Sequence, residues 1–302
     1  MGSELAAPFP YFGGKRRAAP RIWQALGDPS GYVEPFAGSA AVLLARPGFN
    51  GRRVETINDA DGWLVNAWRA IQLSPADVAA HAWGPVSEID YHARLAWLQE
   101  RRTSGLVAWL EGNPEAHDAK AAGWWLYVLA CGIGDPFGPG PWRVVDGHLR
   151  KLPHLGDAGQ GPLVGYMQAL ADRLQRVRIT CGSWERVVKP SVIRSGTGGD
   201  GARAVFLDPP YATSGDLYAH AGAGVAEDVR AWCVEADRGL RVILCGYDTE
   251  HDELLSHGWH VVEGKSGRGA GYSTNAFNGR RERLWLSPAC IHGQQLSLIN
   301  GI

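Results

Sequence analysis

Four consecutive residues, Asp208, Pro209, Pro210 and Tyr211, have side chains suited to chemistry on a planar amino group. They follow an apolar run at 204–207, which predicts a buried strand that ends at the acid. Because a proline restrains the residue before it to extended conformations, Asp208 would be held stiffly at the carboxyl end of that strand. Open α/β sheets bind their ligands at this edge.

The chemistry that these residues suit is transfer of a group to an exocyclic amino nitrogen. Such a nitrogen is a poor nucleophile, because its lone pair is delocalised into the ring. Hydrogen bonds from the amino protons to the Asp208 carboxylate and to a backbone carbonyl would localise the lone pair, while Tyr211 stacks on the base. Positioning and electrostatics would then suffice, without a metal or a covalent intermediate. A rigid turn in which Asp208 caps a helix is the alternative for this tetrapeptide taken alone.

A glycine-containing segment near the start of the sequence predicts close approach of the backbone to a ligand. It contains Tyr11, Gly13, Gly14 and Lys15, in which Lys15 supplies a positive charge and Tyr11 a flat ring. An ordinary turn with a solvated basic cluster is the alternative interpretation.

Residues 31–47 predict a strand, a turn of small residues and a helix capped by Ser39. A turn of this kind at the first β–α junction is where Rossmann-like folds admit a nucleotide. The segment lacks Gly-x-Gly-x-x-Gly, so a dinucleotide is not indicated. A second strand at 53–57 leads to Asp59, about 20 residues beyond the turn, which is the usual position of an acid that binds ribose hydroxyls. Asp61 is a second candidate, and a helix cap is the alternative role.

Composition bounds the remaining possibilities. The chain has 302 residues, 45% of them hydrophobic, and a net charge of -1. Its five cysteines are scattered without a Cys-x-x-Cys pair, which predicts reduced thiols in a cytoplasmic protein, with neither disulfides nor a zinc site. No apolar run is long enough to cross a membrane, so a soluble protein is expected.

The residue pattern changes between residues 73 and 165, where short helical stretches contain irregularly spaced tryptophans. This pattern predicts an inserted, mostly helical domain, and clustered cations there and in the loop 264–281 suit contact with nucleic acid. A helical subdomain whose tryptophans form a core is the alternative. The candidate DNA-binding residues are Arg143, Arg150, Lys151, Lys265, Arg268 and Arg280.

Taken in order, the segments Phe9–Lys15, Val33–Gly38, Ile57–Asp59 and Asp208–Tyr211 resemble the motifs of the Dam-like DNA adenine-N6 methyltransferases. The closing stretch Arg281–Pro288 is similar to that of phage-type members. The family uses S-adenosylmethionine, so the resemblance implies that cofactor and a DNA substrate.

The resemblance also implies roles for particular residues. It implies a cofactor site formed by Tyr11, Gly13, Gly14, Lys15, Glu34, Phe36, Ala37, Gly38, Asp59, Trp184 and Asp208. It implies a catalytic site formed by Asp208, Pro209, Pro210 and Tyr211. The chain departs from the family at Ser183, where an acid often contacts the cofactor adenine, and Trp184 could compensate by stacking.

The sequence thus predicts an α/β protein with a Rossmann-like catalytic domain formed by residues 1–72 and 166–302. The inserted target-recognition domain would occupy residues 73–165. The predicted reaction methylates adenine N6 in duplex DNA after the base is flipped out, with the protein acting as a monomer. Cytosine N4 as the acceptor, or a DNA-binding relative without activity, are the alternatives. The sequence leaves open whether a restriction endonuclease partner exists.

Overall fold

The computed structural model describes residues 5–9, 15–48, 53–84, 87–103, 105–113, 115–131, 144–145, 148–149, 160–194, 196, 198–210, 224–263 and 281–291. The chain divides into two compact units. We call Lys15–Asn58 with Ser183–Ile302 the sheet unit, and Met1–Gly14 with Asp59–Gly182 the helical unit. This division differs from the boundaries predicted at residues 73 and 165, because the helix that follows the second strand packs within the helical unit.

Strands and helices alternate before residue 60 and again after residue 160, as the sequence pattern predicts, whereas among the described residues five helices follow one another between residues 62 and 131. The strands are β1 (Gly31–Glu34), β2 (Val54–Asp59), β3 (Val144–Val145), β4 (His148–Leu149), β5 (Val177–Cys181), β6 (Arg203–Leu207), β7 (Arg241–Tyr247), β8 (His260–Glu263) and β9 (Glu282–Leu286). Strands β3 and β4 form a separate antiparallel pair. The remaining seven form one mainly parallel sheet in the order β5, β2, β1, β6, β7, β9, β8.

This sheet confirms the predicted α/β class and is consistent with a Rossmann-like methyltransferase fold. The inserted helical target-recognition domain stays a prediction. Strand β1 is parallel to β2 and β6, and β6 is parallel to β7. These strands follow the order of a doubly wound sheet. Strand β9 runs antiparallel between β7 and β8.

The helices surround these strands in sequence. They are α1 (Ala19–Leu26), α2 (Ala41–Leu44), α3 (Gly62–Leu73), α4 (Pro75–Ala82), α5 (Glu88–Thr103), α6 (Leu106–Gly112), α7 (Ala119–Cys131), α8 (Gln160–Leu174) and α9 (Val225–Glu235). Among the described residues, no helix combines the length and the apolar character needed to cross a bilayer. All five cysteines are buried and carry free thiols.

Strands β1 and β6 form the centre of the sheet. All four residues of β1 are buried, as are Ala204–Leu207 of β6, because helices cover both faces of a central parallel strand. The register places Gly31 beside Arg203 and Val33 beside Val205. After β1 the chain turns toward β2, whereas after β6 it turns toward β7 on the opposite side. The crevice outside the carboxyl ends of these two strands is therefore the topological switch point, where such sheets bind ligands.

The turn after β1 differs from the sequence prediction in how the next helix begins. Gly38 and Ala40 both have a φ of 47°, in the left-handed region. Ala40 is the residue that precedes α2, and its side chain makes no capping hydrogen bond. The bond to the first turn of α2 comes instead from the Glu34 carboxyl, which accepts the Leu43 N–H. The prediction that Ser39 caps the helix is wrong, because the left-handed turn places the helix start one residue later.

In the helical unit, α7 packs against α3, α4 and α5. The closest approach is at Gly123 of α7. A Cβ atom there would lie 2.4 Å from the Cβ of His81 and 2.8 Å from both the Ala82 nitrogen and the Val78 carbonyl oxygen. Two of these three atoms belong to the backbone of α4 and cannot turn aside, so glycine is required for this helix contact.

We expect Gly123→Ala to lower the free energy of unfolding by about 1–3 kcal/mol, the usual cost of overpacking. Gly165→Ala is the matched control, because Gly165 lies in α8 with no atom within 4 Å of its added Cβ. That variant should be as stable as the wild type or more stable by up to about 1 kcal/mol, since alanine favours the helix. Urea unfolding of both variants measures the difference, and equal stabilities would contradict the packing argument.

Candidate active site

Asp208 is the first residue after β6 and lies at the switch-point edge of the sheet. Pro209 and Pro210 follow it outside any helix or strand. The Asp208 side chain is 20% exposed, so it can be reached from the crevice.

Lys15 is the cation of this site. Its side chain is 5% exposed, and its Nζ lies 2.8 Å from Asp208 Oδ2 and 2.9 Å from Glu282 Oε1. Its carbonyl oxygen accepts hydrogen bonds from the N–H groups of Ala18 and Ala19, which fixes the backbone just before α1. Burial lowers the pKa of Lys15, but the charges of Asp208 and Glu282 outweigh it and raise the pKa well above its ordinary value. Lys15 therefore stays protonated at every physiological pH.

Glu282 is the member of this group that the sequence did not single out. It is the first residue of β9 and lies opposite Tyr247, the last residue of β7. Since β9 runs antiparallel to β7, the start of β9 meets the carboxyl end of β7 at the same edge as Asp208. A charged residue at the start of a strand, followed here by the equally charged Arg283, is a weak signal, because most such residues are solvated.

Glu34, the last residue of β1, is a buried carboxyl group beside this cluster. Its Oε2 accepts hydrogen bonds from the Tyr32 hydroxyl at 3.0 Å and the Leu43 N–H at 3.2 Å. Burial raises the pKa of Glu34 to about 8, against those two bonds and with a further contribution from the charge of Asp208. Glu34 is therefore mostly protonated at neutral pH.

The turn that follows Glu34 is fixed to the end of β2. The Ala37 N–H donates to the Asn58 carbonyl at 2.9 Å, and the Asn58 side-chain nitrogen donates to the Pro35 carbonyl at 3.1 Å. The ring of Phe36 lies 6.1 Å from that of Trp184. Glu34, Phe36, Ala37 and Gly38 are thus grouped on one turn, as the sequence predicts, although their contacts with a cofactor stay a prediction.

Trp184 belongs to the core of the sheet unit. Its side chain is 7% exposed and packs edge-on against Trp232 at 6.3 Å, as well as against Phe36. The buried Trp184 ring thus packs against the turn that contains Phe36. Its predicted stacking on a cofactor adenine stays a prediction.

Asp59 and Asp61 have different local roles at the end of β2. The Asp61 carboxylate accepts the N–H of Trp63 at 2.9 Å and so caps α3. The Asp59 carboxylate accepts the N–H of Asp61 at 3.0 Å. Asp61 is therefore the helix cap, and the predicted ribose contact of Asp59 stays a prediction.

Several predicted residues lie outside the part of the chain that the structure describes. They are Tyr11, Gly13, Gly14, Arg143, Arg150, Lys151, Tyr211, Lys265, Arg268 and Arg280. Among the described residues, no cluster of three or more His, Cys, Asp or Glu side chains could hold a metal ion.

The sheet and its acidic switch-point edge are consistent with a Rossmann-like methyltransferase fold. A model of the D12 class N6 adenine-specific DNA methyltransferase family matches residues 11–84, which include Lys15, Glu34 and Asp59. No curated protein matches the chain. The family match confirms the predicted resemblance and the enzyme class, a DNA (adenine-N6) methyltransferase. Asp208 and Glu282 lie beyond the matched residues, and the structure places both against Lys15.

The buried Glu34 predicts a pH dependence of stability. The folded state keeps the Glu34 proton up to about pH 8, whereas an ordinary glutamate loses it near 4.5. Between these pH values the folded state therefore binds more protons than the unfolded state. The stabilisation that the protonated Glu34 gives the folded state is complete below pH 4.5 and is lost as the pH rises toward 8. Glu34→Gln keeps the acceptor oxygen and should remove this loss, which amounts to at most about 1.4 kcal/mol per pH unit.

Urea unfolding at pH 5, 6.5 and 8 tests this prediction. Relative to the wild type, Glu34→Gln should become steadily more stable as the pH rises. Glu185→Gln is the control, because Glu185 is exposed and its removal should leave the pH dependence unchanged. A constant difference between wild type and Glu34→Gln across the three pH values would contradict the assignment.

Proposed function

We propose that this protein transfers a methyl group from S-adenosylmethionine to N6 of adenine in duplex DNA. The observation that carries the proposal is the Asp208 carboxylate at the switch-point edge, paired with Lys15, which Glu282 contacts from its other side. The family match supports adenine as the methylated base. Asp208 would accept a hydrogen bond from the N6 amino group, localise its lone pair and lie in position to take the proton that N6 gives up.

The charge of the site suits a cationic methyl donor. When bound, S-adenosylmethionine supplies a methyl group on a positively charged sulfur, which makes that carbon electrophilic. Asp208 and Glu282 together carry one more negative charge than Lys15 neutralises. The turn from Glu34 to Gly38 would line the cofactor, and the family resemblance supports Asp59 as its ribose ligand.

Glu282 and Lys15 would act by positioning Asp208. If Lys15 had a single partner, its full charge would fall on Asp208 and weaken that carboxylate as an acceptor. The second carboxylate, Glu282, shares the charge, so Asp208 is held in place and still accepts a hydrogen bond from the substrate.

The target adenine would have to leave the duplex, because N6 cannot reach a recessed carboxylate while the base is stacked. Unstacking costs on the order of a few kcal/mol, which contacts with the flipped base and the phosphates would offset. Tyr211 would stack on the flipped base, and residues 73–165 would supply a target-recognition domain.

We expect Asp208→Ala to abolish methylation while binding of S-adenosylmethionine is largely kept. Base-resolved sequencing of host DNA after expression of wild type and variant measures the first, and calorimetric titration measures the second. Methylated adenine in one short motif, absent with Asp208→Ala, is the expected result. Undiminished methylation by the variant would show that Asp208 is not needed for the reaction. Methylated cytosine in place of methylated adenine would show that cytosine N4 is the acceptor.

We expect Glu282→Gln to lower kcat by about 10- to 100-fold, because a hydrogen bond to a charged group contributes about 1.5–3 kcal/mol. KM for DNA should change little, since Glu282 contacts Lys15 rather than the substrate. Glu282→Asp should recover part of the rate, and Glu263→Gln is the control, because the Glu263 side chain is 73% exposed. A Glu282→Gln variant with the kcat of the wild type would show that Asp208 and Lys15 suffice.

A further inference from the structure

The helical unit presents cations and aromatic rings in alternation where α5 and α7 pack together. The Arg101 guanidinium lies 5.4 Å from the Trp97 ring centre, and the Lys120 ammonium lies 4.8 Å from the same ring. We call the whole set the cation–aromatic face: Arg94, Trp97, Arg101, Lys120, Trp124 and Tyr127.

The alternation continues across α7. The Lys120 ammonium also lies 4.3 Å from the Trp124 ring, and the Arg94 guanidinium lies 5.7 Å from Trp124 and 3.8 Å from Tyr127. Helical spacing produces this face, because residues three, four or seven apart on a helix lie on one side. Three cations are thereby fixed on rings, so less side-chain freedom remains to be lost when they bind a partner.

The charges of this face are incompletely compensated. Arg101 pairs with Asp118 at 2.7 Å, but neither Arg94 nor Lys120 forms an ion pair within the described residues. The nearby Asp90 is engaged by the Ser87 hydroxyl at 2.5 Å. The chain as a whole has a net charge of -1, so this local excess of positive charge does not follow from composition.

The cation–aromatic face favours phosphate groups rather than bases as its binding partner. A base that stacks on an aromatic ring needs a free ring face. Here the Lys120 ammonium lies over both Trp97 and Trp124. A cation stacked on a ring keeps N–H groups that can donate to anionic oxygens, although one N–H of Arg94 already donates to the His81 carbonyl at 3.4 Å.

The spacing of the cations fits one strand of duplex DNA. Arg94 and Arg101 are seven residues apart on α5, which corresponds to about 10 Å along the helix axis. Successive phosphates of one strand advance about 3.4 Å along the duplex axis, so a helix lying along that axis would place these two arginines within reach of different phosphates.

We propose that the cation–aromatic face binds the phosphate backbone of duplex DNA and contributes affinity that is independent of base sequence. The inference rests on the proposed function, since it takes duplex DNA as the substrate. Its role is to hold the duplex on the helical unit while other residues read the bases.

The test is the salt dependence of DNA binding by the full chain. Fluorescence anisotropy measures the affinity of the wild type and of Lys120→Gln for two duplexes of unrelated sequence between 50 and 200 mM NaCl. Each phosphate contact contributes about 0.9 to the slope of log K against log salt. Lys120→Gln should therefore lower the slope by about one on both duplexes, and its deficit in affinity should narrow about 3- to 4-fold across this range. Adding Arg94→Gln should lower the slope by about one more.

Two variants serve as controls. Lys120→Arg keeps the charge and should keep the slope of the wild type. Lys189→Gln removes an exposed lysine of the sheet unit and should also leave the slope unchanged. Thermal unfolding of each variant shows whether the fold is intact, and a Lys120→Gln protein that fails to fold is replaced by Arg94→Gln, with the same expected change in slope.

The outcomes separate this inference from the proposed function. If the wild type methylates and binds DNA while Lys120→Gln and Arg94→Gln have its slope, the cation–aromatic face does not contact phosphates. A loss of affinity confined to one of the two duplexes would also overturn the inference, because it would indicate base recognition. A wild type that neither binds nor methylates duplex DNA would instead overturn the proposed function.

Discussion

The buried positive charge of Lys15 is the constraint on which the active-site edge depends. An ammonium group removed from water is costly unless anionic partners surround it, and here Asp208 and Glu282 do so. Lys15 lies in the segment before α1, Asp208 is the first residue after β6, and Glu282 is the first residue of β9. The ion pairs therefore hold together an edge to which segments far apart in the sequence contribute, and the carboxylate proposed to bind the target is positioned by the same contacts.

Two cations of this protein show different ways of holding a positive charge. Lys15 is almost fully buried and is matched by carboxylates, so its charge serves the interior of the site. Lys120 lies against the rings of Trp97 and Trp124, whose π faces attract a cation without neutralising it. The ion pairs of Lys15 hold the Asp208 carboxylate in place, whereas the rings around Lys120 leave its positive charge uncompensated.

The central elements of the fold could be predicted because their signals are local. The apolar run before Asp208 and the two prolines after it specify the end of β6. The turn after β1 was likewise identified from its small residues. The cap of α2 was predicted wrongly, because the left-handed conformation of Ala40 is a property of the whole turn and not of the Ser39 side chain.

The contribution of Glu282 could not be predicted, because it depends on the pairing of strands distant in sequence. Nothing near residue 282 specifies that β9 runs antiparallel between β7 and β8, and only that register brings Glu282 beside Tyr247. The predicted domain boundaries at residues 73 and 165 stay a prediction, although the two compact units divide the chain at other residues. The sequence associated α3 with the strand before it, whereas α3 packs against α7 and α8.

The position of β9 also bears on when an active molecule can exist during synthesis. Strands β7 and β8 leave the ribosome before β9, yet the gap between them is filled only when residues 282–286 arrive. Until then Lys15 has Asp208 as a partner but not Glu282, β7 has one unpaired edge, and β8 has no partner strand. A nascent or prematurely terminated chain would therefore lack a complete site, which would restrict DNA modification to chains synthesised through β9.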